Sequence, residues 1–139
     1  MTPTIWYSPT LPPEIKTVLE PILRAYLHIL PTWMHELIVR YDAADQNAAT
    51  MNIDQEYRRA TLTVTGQWLL QFPGDREENI RHELSHILVG PLTEWTKDLI
   101  DRLAKDDERL SEWLKKEWQL ILEGVTTDVQ MALFRARKP

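Results

Sequence analysis

The sequence predicts an α+β fold with an N-terminal helix, a three-stranded antiparallel sheet and then several helices. Three observations lead to this prediction. Apolar residues recur every three or four positions over residues 13–30, as they do on one face of a helix. They alternate with polar residues in short segments between residues 35 and 65, as they do in strands. From residue 76 onward the helical interval returns, so helices and strands are segregated along the chain.

Composition favours a single globular domain that spans residues 1–139. The chain is 43% hydrophobic and 27% charged, which is ordinary for a soluble domain. Its net charge of −5 argues against a nucleic-acid partner, and no apolar run approaches the ~18 residues of a membrane span. The chain has no cysteine and no secretory-signal pattern. We therefore expect a cytoplasmic protein in which His, Asp or Glu would hold any metal.

The first half of the chain is predicted to contain one helix and the three strands. The helix covers residues 13–30, where Pro21 indicates either a kink or a helix that begins near that point. The strands follow in the segments HELIVRYD, AATMNID and YRRATLTVT, which span residues 35–42, 48–54 and 57–65. Because the connections between them are short, we expect an antiparallel meander.

The second half of the chain is predicted to be helical. Asp75 is typical of an N-cap, and Glu78 completes a capping box three residues later. The helix that follows covers residues 76–89 and ends at Gly90-Pro91, a pair that favours termination. Two further helices are predicted over residues 92–104 and 107–136.

The middle of the predicted 76–89 helix carries the motif His82-Glu83-Leu84-Ser85-His86. Residues four apart on a helix lie on the same face, so His82 and His86 can aim two imidazoles at one metal ion. Zinc accepts such nitrogens at about 2.0–2.1 Å. Glu83 is turned about 100° around the helix, where its carboxylate reaches a water on the ion more easily than the ion itself. Metal-assisted hydrolysis needs this arrangement, with Glu83 as the general base.

Chance is the alternative explanation of the motif, with the two histidines as ordinary core or surface residues. The chain has four histidines and twelve glutamates. A random order of its residues gives H-E-x-x-H on the order of one time in a hundred. The motif also lies in mid-helix, after a predicted strand and a predicted helix cap. We therefore predict a zinc site that includes His82 and His86.

The motif, on a helix that follows a strand, resembles the signature of the zincin metallopeptidases. In zincins an edge strand before the motif helix typically lines the substrate cleft, and the ATLTVT segment (residues 60–65) is similar to that strand. The metzincin branch is a poor match, because Val89 and Leu92 occupy the positions of its glycine and its third histidine. The resemblance is to gluzincins, in which a glutamate on a later helix completes the site, and to their small single-domain forms in phage and bacterial genomes.

The resemblance implies that a glutamate after the motif is the third zinc ligand, and Glu123 is predicted to be that residue. It follows the apolar run Leu120-Ile121-Leu122, so we expect it to be buried, where a lone carboxylate is costly. The adjacent Gly124 indicates close packing against another element. The segment LEGVTTD also resembles a gluzincin glutamate helix.

Alternatives to Glu123 as the third ligand stay open. Glu94 and Asp128 are the reserve ligands. Glu123 could instead make a buried salt bridge, with Arg24 or Arg59 as its partner. The remaining glutamates after the motif lie in a charged stretch that is typical of a solvated helix face, at Glu108, Glu112 and Glu117.

The resemblance implies a zinc metallopeptidase that acts on a peptide or protein substrate. Gluzincins often have an aspartate four residues after the glutamate ligand, and it orients a histidine. Thr127 occupies that position here, so we expect a threonine or a backbone carbonyl in that role. The alternative is a catalytically silent, zinc-stabilised binding or assembly domain, because so small a chain lacks the second subdomain that usually walls a protease cleft.

Overall fold

The computed structural model describes residues 2–138, which contain four α-helices and one four-stranded sheet. The predicted α+β class is confirmed. A short 3₁₀ turn, Leu27–Ile29, follows the first helix. The elements are, in chain order, β1 Thr4–Tyr7, α1 Pro13–Tyr26, β2 Glu36–Tyr41, β3 Ala49–Asp54, β4 Arg59–Val64, α2 Gly66–Leu70, α3 Pro73–Leu103 and α4 Glu108–Ala136.

The sheet is mixed, and the predicted antiparallel meander is wrong. The strand order is β1-β2-β4-β3. β1 is parallel to β2 and β2 is parallel to β4, whereas β3 is antiparallel to β4. The chain therefore crosses over between β2 and β3, and β1 adds a fourth strand that the sequence analysis does not include. The segment 60–65, predicted to be the edge strand, belongs largely to β4 inside the sheet, and its neighbour β3 is the edge strand on that side.

Burial explains why β2 and β4 are neighbours. Val39 lies opposite Leu62 in the register, and neither side chain has exposed surface. Placing these two strands inside the sheet covers the apolar side chains of both, as is usual for parallel strands. β3 carries the exposed Asn52, and edge strands tolerate such residues because one of their sides faces solvent.

α1 begins at Pro13 and continues through Pro21 to Tyr26 without interruption. Pro21 is exposed and lacks the N–H of a regular helical residue. The opposite face of α1 is buried and packs in the core through Ile15, Leu19, Leu23 and Tyr26. Packing of this amphipathic face outweighs the missing backbone hydrogen bond, so the predicted later start at Pro21 is wrong.

α3 begins two residues before the predicted cap and runs past the predicted end. Phe72 is its N-cap residue and Pro73 occupies the first turn, so Asp75 is not the cap. The helix continues through Gly90 and Pro91 to Leu103. A Cβ at position 90 would lie 2.8 Å from Ile53 Cδ1 on β3. The glycine is therefore explained by close packing of the helix on the edge strand and not by helix termination.

α4 runs antiparallel to α3 and forms a long hairpin with it. Asp107 caps its N-terminus by accepting a hydrogen bond from the Leu110 N–H at 3.0 Å, which agrees with the predicted start. An ion pair of 2.8 Å joins Asp101 to Lys115 near the turn. At the other end of the hairpin Arg137 pairs with Glu77. Among residues 2–138, no helix combines the length and the apolar character needed to cross a membrane.

Candidate metal centre

α3 presents the two histidines of the motif on one face. The neighbouring Ile80, Leu84 and Ile87 have no exposed surface and anchor this part of the helix in the core. His82 and His86 are consequently held on the side of α3 that meets α4, and both are partly buried. The spacing of four residues that predicts a shared face is therefore realised in the structure.

The two imidazoles meet at their Nε2 atoms, which lie 3.2 Å apart. The rings are perpendicular, with centroids 4.8 Å apart. Two nitrogens at this separation, each bonded to one zinc ion at about 2.0–2.1 Å, subtend an angle of roughly 100–106° at the ion. That angle is close to the tetrahedral value. The pair thus fits zinc by distance as well as by residue type.

Glu83 completes the cluster. One of its carboxylate oxygens and a ring nitrogen of each histidine lie within 4.8 Å of one another, and the three side chains form a group that could hold a metal ion. Burial raises the pKa of the Glu83 carboxyl to about 7, although the charge of His82 and a hydrogen bond with the backbone of Met51 oppose the rise. A carboxyl with a pKa near 7 can both accept and release a proton at neutral pH.

The electrostatics of His86 favour its neutral, metal-binding form. Burial is the largest cause that lowers the pKa of its imidazole, and the charge of His82 lowers it further. The carboxylate of Glu123 acts in the opposite direction and raises the pKa of His86. Glu123 is therefore close enough to His86 to interact with it electrostatically, although it is not part of the cluster that His82, Glu83 and His86 form.

The predicted burial of Glu123 and the predicted close packing of Gly124 are wrong, whereas the role of Glu123 as a ligand stays a prediction. The side chain of Glu123 is exposed, and it accepts a hydrogen bond of 2.9 Å from Gln119 Nε2. In the preceding apolar run, Leu120 is 64% exposed and Ile121 is 56% exposed, so only Leu122 is buried. No atom lies within 4 Å of a Cβ built on Gly124, so close packing does not explain that glycine.

The salt bridge considered as an alternative for Glu123 is absent from residues 2–138. Arg24 pairs with Glu20 at 3.1 Å, one helical turn away on α1. The guanidinium of Arg59 lies over the ring of Tyr57, 4.8 Å from its centroid. Glu123 therefore remains the predicted third ligand, at the edge of the cluster and without a cationic partner among the described residues.

A cavity of about 390 Å³ opens beside Glu83 and His86. The edge strand β3 forms one wall and α3 forms the other. The reserve ligand Glu94 lies on the α3 wall, whereas the other reserve, Asp128, is exposed on α4 and does not line the cavity. The lining residues are Thr50, Met51, Asn52, Ile53, Glu83, His86, Gly90, Thr93, Glu94, Lys97 and Leu122.

Gln130 is the residue of the site that the sequence analysis misses. Its Oε1 lies 3.3 Å from His82 Nδ1. The Thr127 hydroxyl, at the position of the gluzincin aspartate, donates instead to the Glu123 backbone carbonyl at 2.9 Å. Helical spacing is the signal that could have found Gln130. It lies seven residues after Glu123, which is almost two full turns and places the two side chains on the same face of α4.

No protein-family model, curated protein or solved structure matches this chain. The function is therefore inferred from the residues of the site, from their distances and from their position between β3, α3 and α4.

Proposed function

We propose that this chain is a zinc-dependent metallopeptidase, with His82, His86 and Glu123 as zinc ligands and Glu83 as the general base. The observation that carries the proposal is the 3.2 Å separation of the two imidazole Nε2 atoms, with the Glu83 carboxylate in the same cluster. Two imidazoles at that separation suit one tetrahedral ion. A carboxylate held beside them suits proton transfer.

The residues of the cluster divide the chemistry between them. A bound zinc ion supplies a Lewis acid that polarises the substrate carbonyl and makes a water molecule more acidic. His82 and His86 would hold the ion through their Nε2 atoms, with both imidazoles neutral. Glu83 takes a proton from the attacking water and returns it to the leaving amine. In the metal-free protein, burial raises the pKa of Glu83 to about 7.

The edge strand supports a peptide as the substrate. β4 is bonded to one side of β3, and the cavity lies beside four consecutive β3 residues, Thr50, Met51, Asn52 and Ile53. An extended peptide can add to such an edge through backbone hydrogen bonds. An antiparallel edge strand beside the motif helix also supports a zincin-like fold. A cytoplasmic setting is part of the proposal, and the absence of cysteine supports it.

Two observations support Glu123 as the third ligand. Its charge raises the pKa of His86, so its carboxylate lies near the imidazole pair. It also shares a face of α4 with Gln130, which contacts His82. Its carboxylate would exchange the hydrogen bond from Gln119 for the metal. Glu94 is the alternative ligand, because it lines the same cavity as His86.

The experiment that tests the proposal combines metal content with turnover. We expect about one zinc per chain in the wild type by mass spectrometry, and loss of tight binding in His82→Ala and in His86→Ala. Glu83→Gln should keep zinc and lose activity on a peptide library by about 10²–10⁴-fold, because an amide cannot take a proton from water. Stoichiometric zinc in a His82→Ala/His86→Ala double variant, or cleavage retained by Glu83→Gln, would refute the proposal.

One observation favours the second candidate, a silent zinc-stabilised binding domain. The end of the α3–α4 hairpin exposes large apolar side chains, with Trp95 62% exposed and Trp113 58% exposed. Exposed apolar surface of this kind often contacts other proteins. Under this alternative the wild type binds zinc but cleaves no peptide of the library.

A further inference from the structure

Gln130 is buried between the two long helices, beside His82. It is 8% exposed, and it is one of few polar side chains that α4 buries. Its side-chain oxygen faces His82 Nδ1 at 3.3 Å, and its amide nitrogen donates to the Glu78 backbone carbonyl at 3.4 Å. Both ends of the amide therefore have partners on α3.

These two partners determine which way the amide points. The carbonyl of Glu78 can only accept a hydrogen bond, so it requires the NH₂ end of Gln130. The oxygen end then faces His82 and can only accept. A reversed amide would set two acceptors against each other at Glu78. The proton of a neutral His82 is consequently placed on Nδ1, and Nε2 keeps its lone pair.

We propose that Gln130 is a positioning residue that fixes the tautomer of His82 and turns its Nε2 toward the metal. The inference rests on the proposed zinc site. Metal-binding histidines usually donate their second ring N–H to an oxygen acceptor, which sets both the tautomer and the orientation of the ring. In this chain the acceptor is a neutral amide from α4, two helical turns after Glu123.

The neutral amide suits its surroundings. A carboxylate at position 130 would be buried, and burial of an unpaired charge is costly. An amide oxygen accepts the hydrogen bond from His82 without that cost. The same face of α4 thus carries the predicted third ligand, Glu123, and the residue that orients the first ligand.

The test compares two substitutions of Gln130 in the full-length chain. Gln130→Met keeps the length of the side chain but has no strong acceptor, whereas Gln130→Glu keeps an acceptor oxygen. We expect zinc affinity, measured by competition with a chelator, to fall about 10–100-fold in Gln130→Met. Gln130→Glu should restore part of that loss, because its oxygen still accepts from His82 although its charge is costly to bury. The exposed Gln67→Met is the matched control and should bind zinc as the wild type does.

A spectroscopic measurement makes the test independent of the metal. In metal-free protein, the ¹⁵N shifts of the His82 ring report which nitrogen carries the proton. We expect the Nδ1–H tautomer in the wild type and a mixture of tautomers in Gln130→Met. Circular dichroism melting shows that each variant is folded under the conditions of the measurement. Should Gln130→Met fail to fold, Gln130→Glu and the wild-type tautomer decide the question.

The outcomes separate this inference from the proposed function. The positioning role of Gln130 is overturned if Gln130→Met binds zinc as tightly as the wild type does. It is also overturned if His82 carries its proton on Nε2 in the metal-free wild type. Absence of zinc from the wild type overturns the proposed function instead, and the tautomer still shows whether Gln130 fixes His82.

Discussion

Gly90 on α3 lies so close to the edge strand that a Cβ there would be 2.8 Å from Ile53 Cδ1 and 3.7 Å from Ile53 Cγ2. This contact joins the helix of the motif to the strand that forms the other wall of the cavity. It sets the width of the cavity at that point, because both Gly90 and Ile53 line it. A side chain at position 90 would have to displace the end of the Ile53 side chain.

Substitutions of Gly90 and Gly124 should therefore have opposite effects on stability. Gly124→Ala meets no atom within 4 Å and should raise the free energy of unfolding by about 0.5–1 kcal/mol through helix propensity. Gly90→Val must displace Ile53 and should lower it by about 1–3 kcal/mol. Urea denaturation of metal-free protein measures both. A Gly90→Val variant as stable as the wild type would show that the helix and the strand separate without cost.

The third zinc ligand can be identified by comparing three glutamates. Loss of a residue that only supports a metal ligand typically weakens metal binding by roughly 10–100-fold. Glu123→Ala removes a direct ligand and should therefore weaken zinc binding by more than that. Glu117→Ala, an exposed change on the same helix, should leave zinc affinity unchanged. Competition titration with a chelator measures the zinc affinity of these two variants and of Glu94→Ala. If Glu94→Ala loses the metal and Glu123→Ala keeps it, the ligand is Glu94 and the class of site survives.

The local patterns of the sequence predict the motif helix and its geometry well. The four-residue spacing places His82 and His86 on a common face, because the face on which a helical residue lies depends only on its spacing along the chain. The alternating segments likewise give three of the four strands. Strand pairing is a different matter. Short loops favour a meander, but the pairing of β2 with β4 is decided by burial of their apolar faces, which involves residues far apart in the chain.

The errors at Glu123 and Gly90 have a similar origin. A run of three apolar residues predicts a buried segment, yet Leu120 and Ile121 lie on the exposed side of α4. Gly90-Pro91 predicts a helix end, yet the helix continues because Gly90 packs on β3. In both cases the outcome depends on whether another element packs against the segment, and a local pattern carries no information about that. Gln130 differs, because its spacing of seven residues from Glu123 places both on one face of α4, although its contact with His82 comes from the packing of α4 on α3.

A buried hydroxyl gives a third prediction. Thr126 on α4 has no exposed surface, and its Oγ1 has no hydrogen-bond partner within residues 2–138. Valine has nearly the same shape and no polar group, so Thr126→Val should raise the free energy of unfolding by about 1 kcal/mol. Thr127→Val is the control. Its hydroxyl is exposed and donates to the Glu123 carbonyl, and the change should stay within about 0.5 kcal/mol.

Thermal and urea denaturation of the two threonine variants provide the measurement. A Thr126→Val variant less stable than the wild type would mean that the hydroxyl has a partner in solution, such as an ordered water. The prediction would then be wrong, and the space between α3 and α4 would have to be polar.

Glu83 gives the metal-free protein an unusual pH dependence. Burial raises the pKa of its carboxyl from 4.5 to about 7 in the folded state. Between these two values the folded protein keeps a proton on Glu83 that the unfolded chain has released. Because the folded state binds more protons than the unfolded chain between about pH 4.5 and 7, the contribution of Glu83 to the free energy of unfolding falls as the pH rises. The loss is on the order of 2–3 kcal/mol between about pH 4.5 and 7.

Glu83→Gln removes the ionisable group and should remove this loss of stability. We expect the wild type and the variant to be similarly stable near pH 4.5 and the variant to be more stable at pH 7.5, both measured by urea denaturation with a chelator present. His86 contributes the opposite slope, because burial lowers the pKa of its imidazole and the unfolded chain then binds the extra proton. That contribution is common to both proteins, so the difference between their curves isolates Glu83. The exposed Glu117→Gln should follow the wild type. Parallel curves for the wild type and Glu83→Gln would show that water reaches the carboxylate in the folded state.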